Sequence, residues 1–133
     1  MKTSITYTKI TLTLGLLALV SWTVPSGWVA PPDANNLKNP LAGNTAVLKD
    51  AKTLYTSMCA PCHGDKGRGD GPAAMALNPR PADHSSATIQ SETDGSLFWK
   101  MTTGKGAMQS YKTQLTEQQR WSLVNYIRTL KRK

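Results

Sequence analysis

The stretch Cys59-Ala60-Pro61-Cys62-His63 decides how the rest of this chain is interpreted. Two thiols stand three residues apart, and an imidazole follows the second thiol directly. A thioredoxin-like redox pair would follow a strand of a βαβ unit, and the sequence shows no convincing strand. A zinc site could use Cys59, Cys62, His63 and His84, although the adjacent Cys62 and His63 point apart awkwardly for one tetrahedron. A disulfide across so small a loop would have no stabilising role.

The same spacing is typical of covalent attachment of a haem c. Each thiol can add across one vinyl group, and the imidazole of the next residue then lies below the iron as an axial ligand. The motif therefore predicts one haem c held by Cys59 and Cys62, with His63 on the iron. A haem also accounts for the composition, because 39% hydrophobic residues and a single Phe are few for a core made of side chains alone.

Length and charge narrow the remaining possibilities. A chain of 133 residues allows one domain, and two cysteines exclude a disulfide-dense scaffold. The net charge of +8 is compatible with nucleic acid, an anionic membrane or an acidic protein as partner. Nucleic acid is disfavoured because the chain carries an export segment and has no basic motif interleaved with aromatic residues.

The export segment is the N-terminal part of the chain. Lys2 and Lys9 precede the stretch Ile10–Pro32, which carries no charge and is rich in leucine. Residues 1–28 are expected to be a signal peptide cleaved near Ser26, or an uncleaved membrane anchor, since about 20 apolar residues span a bilayer. The protein is then periplasmic, or anchored to the periplasmic face of the cytoplasmic membrane.

The rest of the chain divides into a linker and one domain. Residues 29–44 are rich in Pro, Asn and Gly and are expected to be a linker, with the domain over 45–133. Apolar spacing predicts an α-helix from about Asn44 or Thr45 to Cys59, a second capped by Asp94 and stopped by Gly104, and a third to the C-terminus. Thr116 and Gln119 have the spacing of a capping box for the third helix. Long Gly- and Pro-rich loops separate the three.

The sixth iron ligand must come from the opposite face of the haem. The candidates are Met58, Met75, Met101, Met108 and His84. Met108 is favoured, because it follows Gly104 and Gly106 in a loop where a thioether can approach iron without helical constraint. His84 and Met101 remain alternatives, and His84 is otherwise expected to be a surface loop residue.

Residues 39–131 resemble the class I c-type cytochromes, small monohaem electron carriers. The resemblance rests on the helix before Cys59-Ala60-Pro61-Cys62-His63, on Gly71-Pro72, on Gly104-x-Gly106-x-Met108 and on the amphipathic C-terminal helix. It implies an all-α cytochrome c-like fold with three main helices and long loops around one covalent haem. It also implies Met108 as the distal ligand and the Pro72 carbonyl as acceptor for the His63 ring.

The resemblance further implies that the first and last helices cross, with Tyr55 against either Trp121 or Tyr126. Arg80 and Trp99 are candidate donors to the haem propionates, with a solvated loop charge and a packing aromatic as the alternatives.

The expected function is transfer of one electron between respiratory redox partners. The alternatives are a haem subunit of a larger membrane respiratory complex, or a haem enzyme or sensor with an open sixth site. Basic residues could form a rim that attracts an acidic partner, or an ordinary solvated surface. They are Lys49, Lys52, Lys66, Arg68, Lys100, Lys105 and Lys112.

Overall fold

The computed structural model describes residues 27–133, and all the regular elements in that range are helical. The α-helices are α1 (Leu48–Met58), α2 (Ala60–His63), α3 (Ala87–Gln90), α4 (Asp94–Thr103) and α5 (Glu117–Thr129). Two 3-10 helices cover Pro32–Asn36 and Ala74–Ala76. The prediction of an all-α fold with three main helices, α1, α4 and α5, is confirmed. The short α2 and α3 were not predicted as separate helices.

The core forms where α1 and α5 cross. Tyr55, Leu123 and Val124 are fully buried there. The ring of Tyr55 lies 5.1 Å from that of Tyr126, so Tyr126 is the aromatic partner at the crossing. Trp121, the other predicted partner, instead stacks on Phe98 of α4 at 3.9 Å between ring centroids. Helix α4 is thereby fixed against α5, which also packs on α1.

Two of the helix starts differ from the predicted ones. The capping box of Thr116 and Gln119 is present at α5. At α4 the cap is Thr93, whose hydroxyl accepts from the Ser96 amide at 3.0 Å because Thr93 has the extended backbone of an N-cap. Asp94 is instead the first residue of the helix and binds Arg128 of α5. Helix α1 begins at Leu48 without a side-chain cap.

Residues 29–44, the expected linker, contact the helices at several points. Ala30 and Ala34 are buried, and the approach at Gly95 is so close that a Cβ there would lie 2.0 Å from the Ala34 carbonyl oxygen. The Asn39 amide donates to Asp94 and to Asn125, at 2.8 Å in each case. Asn39 therefore links α4 to α5 through hydrogen bonds. The predicted leader lies outside the described residues except for 27 and 28.

The loops between α2 and α4 carry little regular structure, as predicted. They contain the 3-10 helix Ala74–Ala76 and the single turn of α3. Within residues 27–133, no helix has the length and apolar character needed to cross a membrane.

Candidate haem site

The motif residues lie on one helical turn at the end of α1. Helix α2 follows α1 after Cys59 alone, and the Cys59 carbonyl accepts from the amides of Cys62 at 3.1 Å and His63 at 2.8 Å. Pro61 is tolerated because the first turn of a helix requires no amide donor there. The turn places two free thiols and one imidazole within one short segment, and Cys59 and Cys62 form no disulfide.

A Gly-rich loop holds the backbone of this turn from outside. The amide of Gly71 donates to the Cys62 carbonyl at 3.1 Å, and that of Ala73 donates to the Pro61 carbonyl at 2.9 Å. A Cβ at Gly71 would lie 2.4 Å from the carbonyl oxygens of Ala60 and Pro61, so only glycine allows this approach. Gly71 of the predicted Gly71-Pro72 pair thus makes a close backbone contact with the motif turn.

The imidazole of His63 is fixed by a different carbonyl from the one predicted. Its Nδ1 lies 2.9 Å from the Ala82 carbonyl oxygen, which corrects the assignment of this role to Pro72. The Gly71-Pro72 segment is instead used in holding the turn backbone, so the acceptor comes from further along the loop. A carbonyl can only accept, so Nδ1 carries the proton and the other ring nitrogen, Nε2, has a free lone pair. Burial lowers the pKa of His63, and the bond to Ala82 partly opposes that shift.

His84 is buried beside His63, and the expectation of a surface loop residue is wrong. The two imidazole rings are stacked with centroids 4.0 Å apart. The His84 Nδ1 and the Tyr55 hydroxyl share a hydrogen bond of 3.0 Å. Burial, followed by the proximity of His63, lowers the pKa of His84 well below its ordinary value of 6.5. His84 therefore packs as a neutral ring between Tyr55 and the predicted ligand.

Met108 lies in a tight turn that follows α4 in the chain. Its amide and carbonyl exchange hydrogen bonds with Lys105 at 3.0 and 2.8 Å, and Gly104 and Gly106 supply the positive φ that the turn requires. The Met108 side chain is half-buried against the core cluster that also contains Cys59 and Met101. The loop ends at Tyr111, whose hydroxyl donates to the Met58 carbonyl, next to Cys59, at 2.9 Å.

The other ligand candidates lie in less suitable places. Met75 is 79% exposed, and its sulfur accepts from Arg80. Met101 is buried on the inner face of α4, and Met58 is half-buried against the same cluster. The stacking of His84 on His63 places His84 beside the predicted proximal ligand, not opposite it.

The residues present fit a covalent haem. Two unpaired thiols, an imidazole with a free Nε2 and a half-buried thioether are the donor set that a c-type haem requires. Burial and the nearby Cys62 raise the pKa of the Cys59 thiol to about 12, so this thiol stays protonated at neutral pH. Within residues 27–133 no group of three or more His, Cys, Asp and Glu side chains is arranged to hold a metal ion.

Comparison with known proteins agrees with this site. Residues 46–127 match the family model described as cytochrome c oxidase, cbb3-type, subunit III. The chain belongs to this cytochrome family. No protein with curated function matches it. A c-type cytochrome domain implies covalently bound haem c, and the Cys59–His63 turn is the predicted place of its attachment.

Two solved structures are similar to this cytochrome. One is a chain of the Kuenenia stuttgartiensis reducing HAO-like protein complex Kustc0457/Kustc0458, with 25% identity and a TM-score of 0.63. That match covers 72% of this chain and 50% of the other, so this chain spans half the length of that relative. The other is the KustC0563 c-type cytochrome, with 25% identity, a TM-score of 0.55 and coverage of 62% and 98%.

Arg80 and Trp99 lie outside the Cys59–His63 turn. Arg80 is exposed, and its guanidinium donates to the Met75 sulfur at 3.2 Å. Trp99 is half-buried, with its ring 6.0 Å from that of Trp28. These contacts match the alternatives given for the two residues, a solvated loop charge and a packing aromatic. Their role as propionate donors stays a prediction.

Arg120 is a buried cation that the sequence analysis missed. Its Nη1 donates to the carbonyls of Leu115 at 2.6 Å, Lys112 at 3.1 Å and Tyr111 at 3.4 Å. Its guanidinium lies over the Phe98 ring at 5.1 Å. The signal was present, because Arg120 has the helical spacing of the apolar residues of α5. Those residues are Leu123, Val124 and Ile127. Arg120 therefore fixes the end of the Met108 loop to α5.

Proposed function

We propose that this cytochrome carries one electron at a time between respiratory redox partners on a single haem c, with His63 and Met108 as axial ligands. The observation that supports this proposal best is the state of the His63 ring. Its Nδ1 is bonded to the Ala82 carbonyl, which leaves Nε2 free and gives the ring one fixed orientation. A haem so held supplies reversible one-electron exchange at its iron.

The protein residues would confine the site to that chemistry. Met108 as a second iron ligand would leave no open position for a substrate, and a thioether ligand would favour the reduced state. The hydrogen bond from Nδ1 to Ala82 raises the basicity of Nε2 and prevents rotation of the ring. Cys59, Met101 and Tyr111 belong to one buried apolar cluster, which would keep water away from this part of the site. The chain would therefore act as an electron carrier and not as an enzyme.

A second candidate is a haem subunit of a larger respiratory complex. The family description names a subunit of a cytochrome c oxidase, and one similar structure is a chain of a protein complex. Export to the periplasm, with residues 1–28 either cleaved or retained as an anchor, is part of both proposals. Purification of the full-length chain without detergent as a monomer would favour the soluble carrier.

The axial ligand is tested by the optical spectrum of the oxidised protein. The weak long-wavelength sulfur-to-iron band should be present in the wild type and in Met101→Leu, and absent in Met108→Ala. Survival of the band in Met108→Ala would overturn the assignment. Immediate binding of carbon monoxide by the reduced wild type would favour the enzyme or sensor with an open sixth site.

A further inference from the structure

An open groove of about 680 Å³ lies where α1, α5 and the loop after His63 meet. Five cationic side chains line it, and Asp65 is the one carboxylate among its lining residues. The cations are Lys52, Lys66, Arg68, Lys131 and Arg132. Lys105 and Lys112, which flank Met108, are not among the residues that line this groove.

The positive charge of the groove is largely uncompensated. Arg132 forms a salt bridge with Asp83. Among the residues that the structure describes, none of the other four cations forms a salt bridge. Cations that converge on a concave surface concentrate a positive potential and attract anionic groups. An ordinary solvated surface would scatter these charges over convex positions.

The floor of the groove is suited to a protein partner. Tyr126 and Leu130 lie among the cations and offer an aromatic ring and an aliphatic side chain. Tyrosine and arginine are enriched in protein interfaces, where they anchor a partner in a desolvated pocket. A bilayer surface is flat and would meet the rim, whereas a chain segment carrying Asp or Glu can enter the groove.

The groove floor is in continuous contact with the proposed iron ligand. The Tyr126 ring packs on Tyr55 at 5.1 Å, and the Tyr55 hydroxyl bonds His84 at 3.0 Å. The His84 ring in turn stacks on His63 at 4.0 Å. A partner seated on Tyr126 would lie behind the proximal side of the haem, separated from His63 by two packed side chains.

We propose that this groove is the docking site for an acidic segment of a redox protein. The proposal rests on the proposed electron-transfer function for the nature of the partner. Binding itself depends only on the groove, so it can be measured without any redox reaction. A failure of docking is then distinguishable from a failure of the haem ligation, which the optical spectrum reports.

The test uses a poly-glutamate peptide as the probe and the haem-loaded full-length chain. Binding is followed by NMR shifts and titration calorimetry at low ionic strength. The double variant Lys66→Glu/Arg68→Glu should weaken binding by about tenfold or more, because it reverses two of the charges in the groove. A second variant, Lys52→Glu/Lys131→Glu, should have the same effect. The matched control Lys105→Glu/Lys112→Glu, with the same change in net charge outside the groove, should stay within about twofold.

Each other outcome would overturn the proposal. Equal weakening by groove and control variants would show attraction to net charge alone. Stronger weakening by the control would move docking to the Met108 loop, and absence of peptide binding by the wild type would remove the site. Vesicles with phosphatidylglycerol provide the remaining comparison. Loss of vesicle binding in the groove variants, with peptide binding unchanged, would assign the groove to a membrane.

Discussion

Replacement of Arg120 by Leu should destabilise the protein by about 2–3 kcal/mol. The magnitude follows from the carbonyls that Arg120 binds. Among the described hydrogen bonds, the carbonyl oxygens of Leu115 and Lys112 accept only from Arg120. The Tyr111 carbonyl oxygen also accepts from the Leu115 amide, so it keeps a partner when Arg120 is replaced. A hydrogen bond to a charged group contributes about 1.5–3 kcal/mol, so losing two costs roughly 3–6 kcal/mol.

One feature of the wild type reduces this loss. The Nε atom of Arg120 is buried without a hydrogen-bond partner among the described residues. An unsatisfied buried donor costs about 1–3 kcal/mol, and Arg120→Leu removes that cost. Leu also retains apolar contact with Phe98 in place of the guanidinium. The net loss is therefore about half of the gross loss of hydrogen bonding.

The assay is guanidinium unfolding of the oxidised haem-loaded protein, followed by circular dichroism. Lys112→Leu is the control, because it removes an exposed cation from the same loop and leaves the backbone carbonyl in place; it should change the unfolding free energy by less than about 0.5 kcal/mol. If Met108 is the ligand, Arg120→Leu should also weaken the sulfur-to-iron band, since the loop loses its attachment to α5. An unfolding free energy of Arg120→Leu equal to that of the control would refute the reasoning.

Three further predictions concern the surroundings of His63. Gly71→Ala should lower haem incorporation and destabilise the protein by roughly 2 kcal/mol or more, because its Cβ would lie 2.4 Å from two backbone oxygens of the motif turn. Gly106→Ala is the control, because Gly106 has open space around it, and it should lower the unfolding free energy in denaturant by about 1 kcal/mol. Tyr55→Phe should cost about 1–3 kcal/mol, because the buried His84 loses its partner. Tyr126→Phe is its control, and equal unfolding free energies for the two variants would contradict the prediction. His84 has a lowered pKa in the folded state, so its stabilising effect is complete above the unfolded value of 6.5 and is lost as the pH falls below it. As the pH falls from 6.5 towards the pKa of His84 in the folded state, the unfolding free energy of the wild type should therefore decrease by about 1.4 kcal/mol per pH unit more than that of His84→Gln. Urea unfolding at several pH values measures this, and parallel pH dependences of the two proteins would contradict the prediction.

Local patterns in the sequence predicted the elements that depend on local chemistry. The capping box at Thr116 and the stop at Gly104 each involve residues a few positions apart, and both are present. The cap of α4 was misassigned by one residue because Thr93 and Asp94 are both good caps. The backbone of Thr93 and the distant Arg128 decided between them.

Contacts between distant segments were harder to predict. Residues 29–44 have the composition of a linker, yet Asn39 bonds Asp94 and Asn125, which lie 55 and 86 positions away. The acceptor for His63 is a main-chain carbonyl, and any residue at position 82 would present the same oxygen. Side-chain identity therefore carries no signal for this part of the site, and a Gly-Pro pair near the motif was a misleading substitute.

The same difficulty explains why His84 was misplaced. An isolated histidine in a Pro-rich loop has no periodic pattern, and its burial depends on Gly67, whose Cβ would lie 3.0 Å from that of His84 and 3.2 Å from the Tyr55 hydroxyl. With glycine at position 67, the loop after the motif can pack over Tyr55. The His84 amide donates to the Gly67 carbonyl oxygen at 2.6 Å, which holds His84 in its buried position. The glycines at 67 and 71 thus let one loop pack against both the motif turn and the ring of His63. The Gly-rich composition that predicts little regular structure is what allows this loop to pack beside His63.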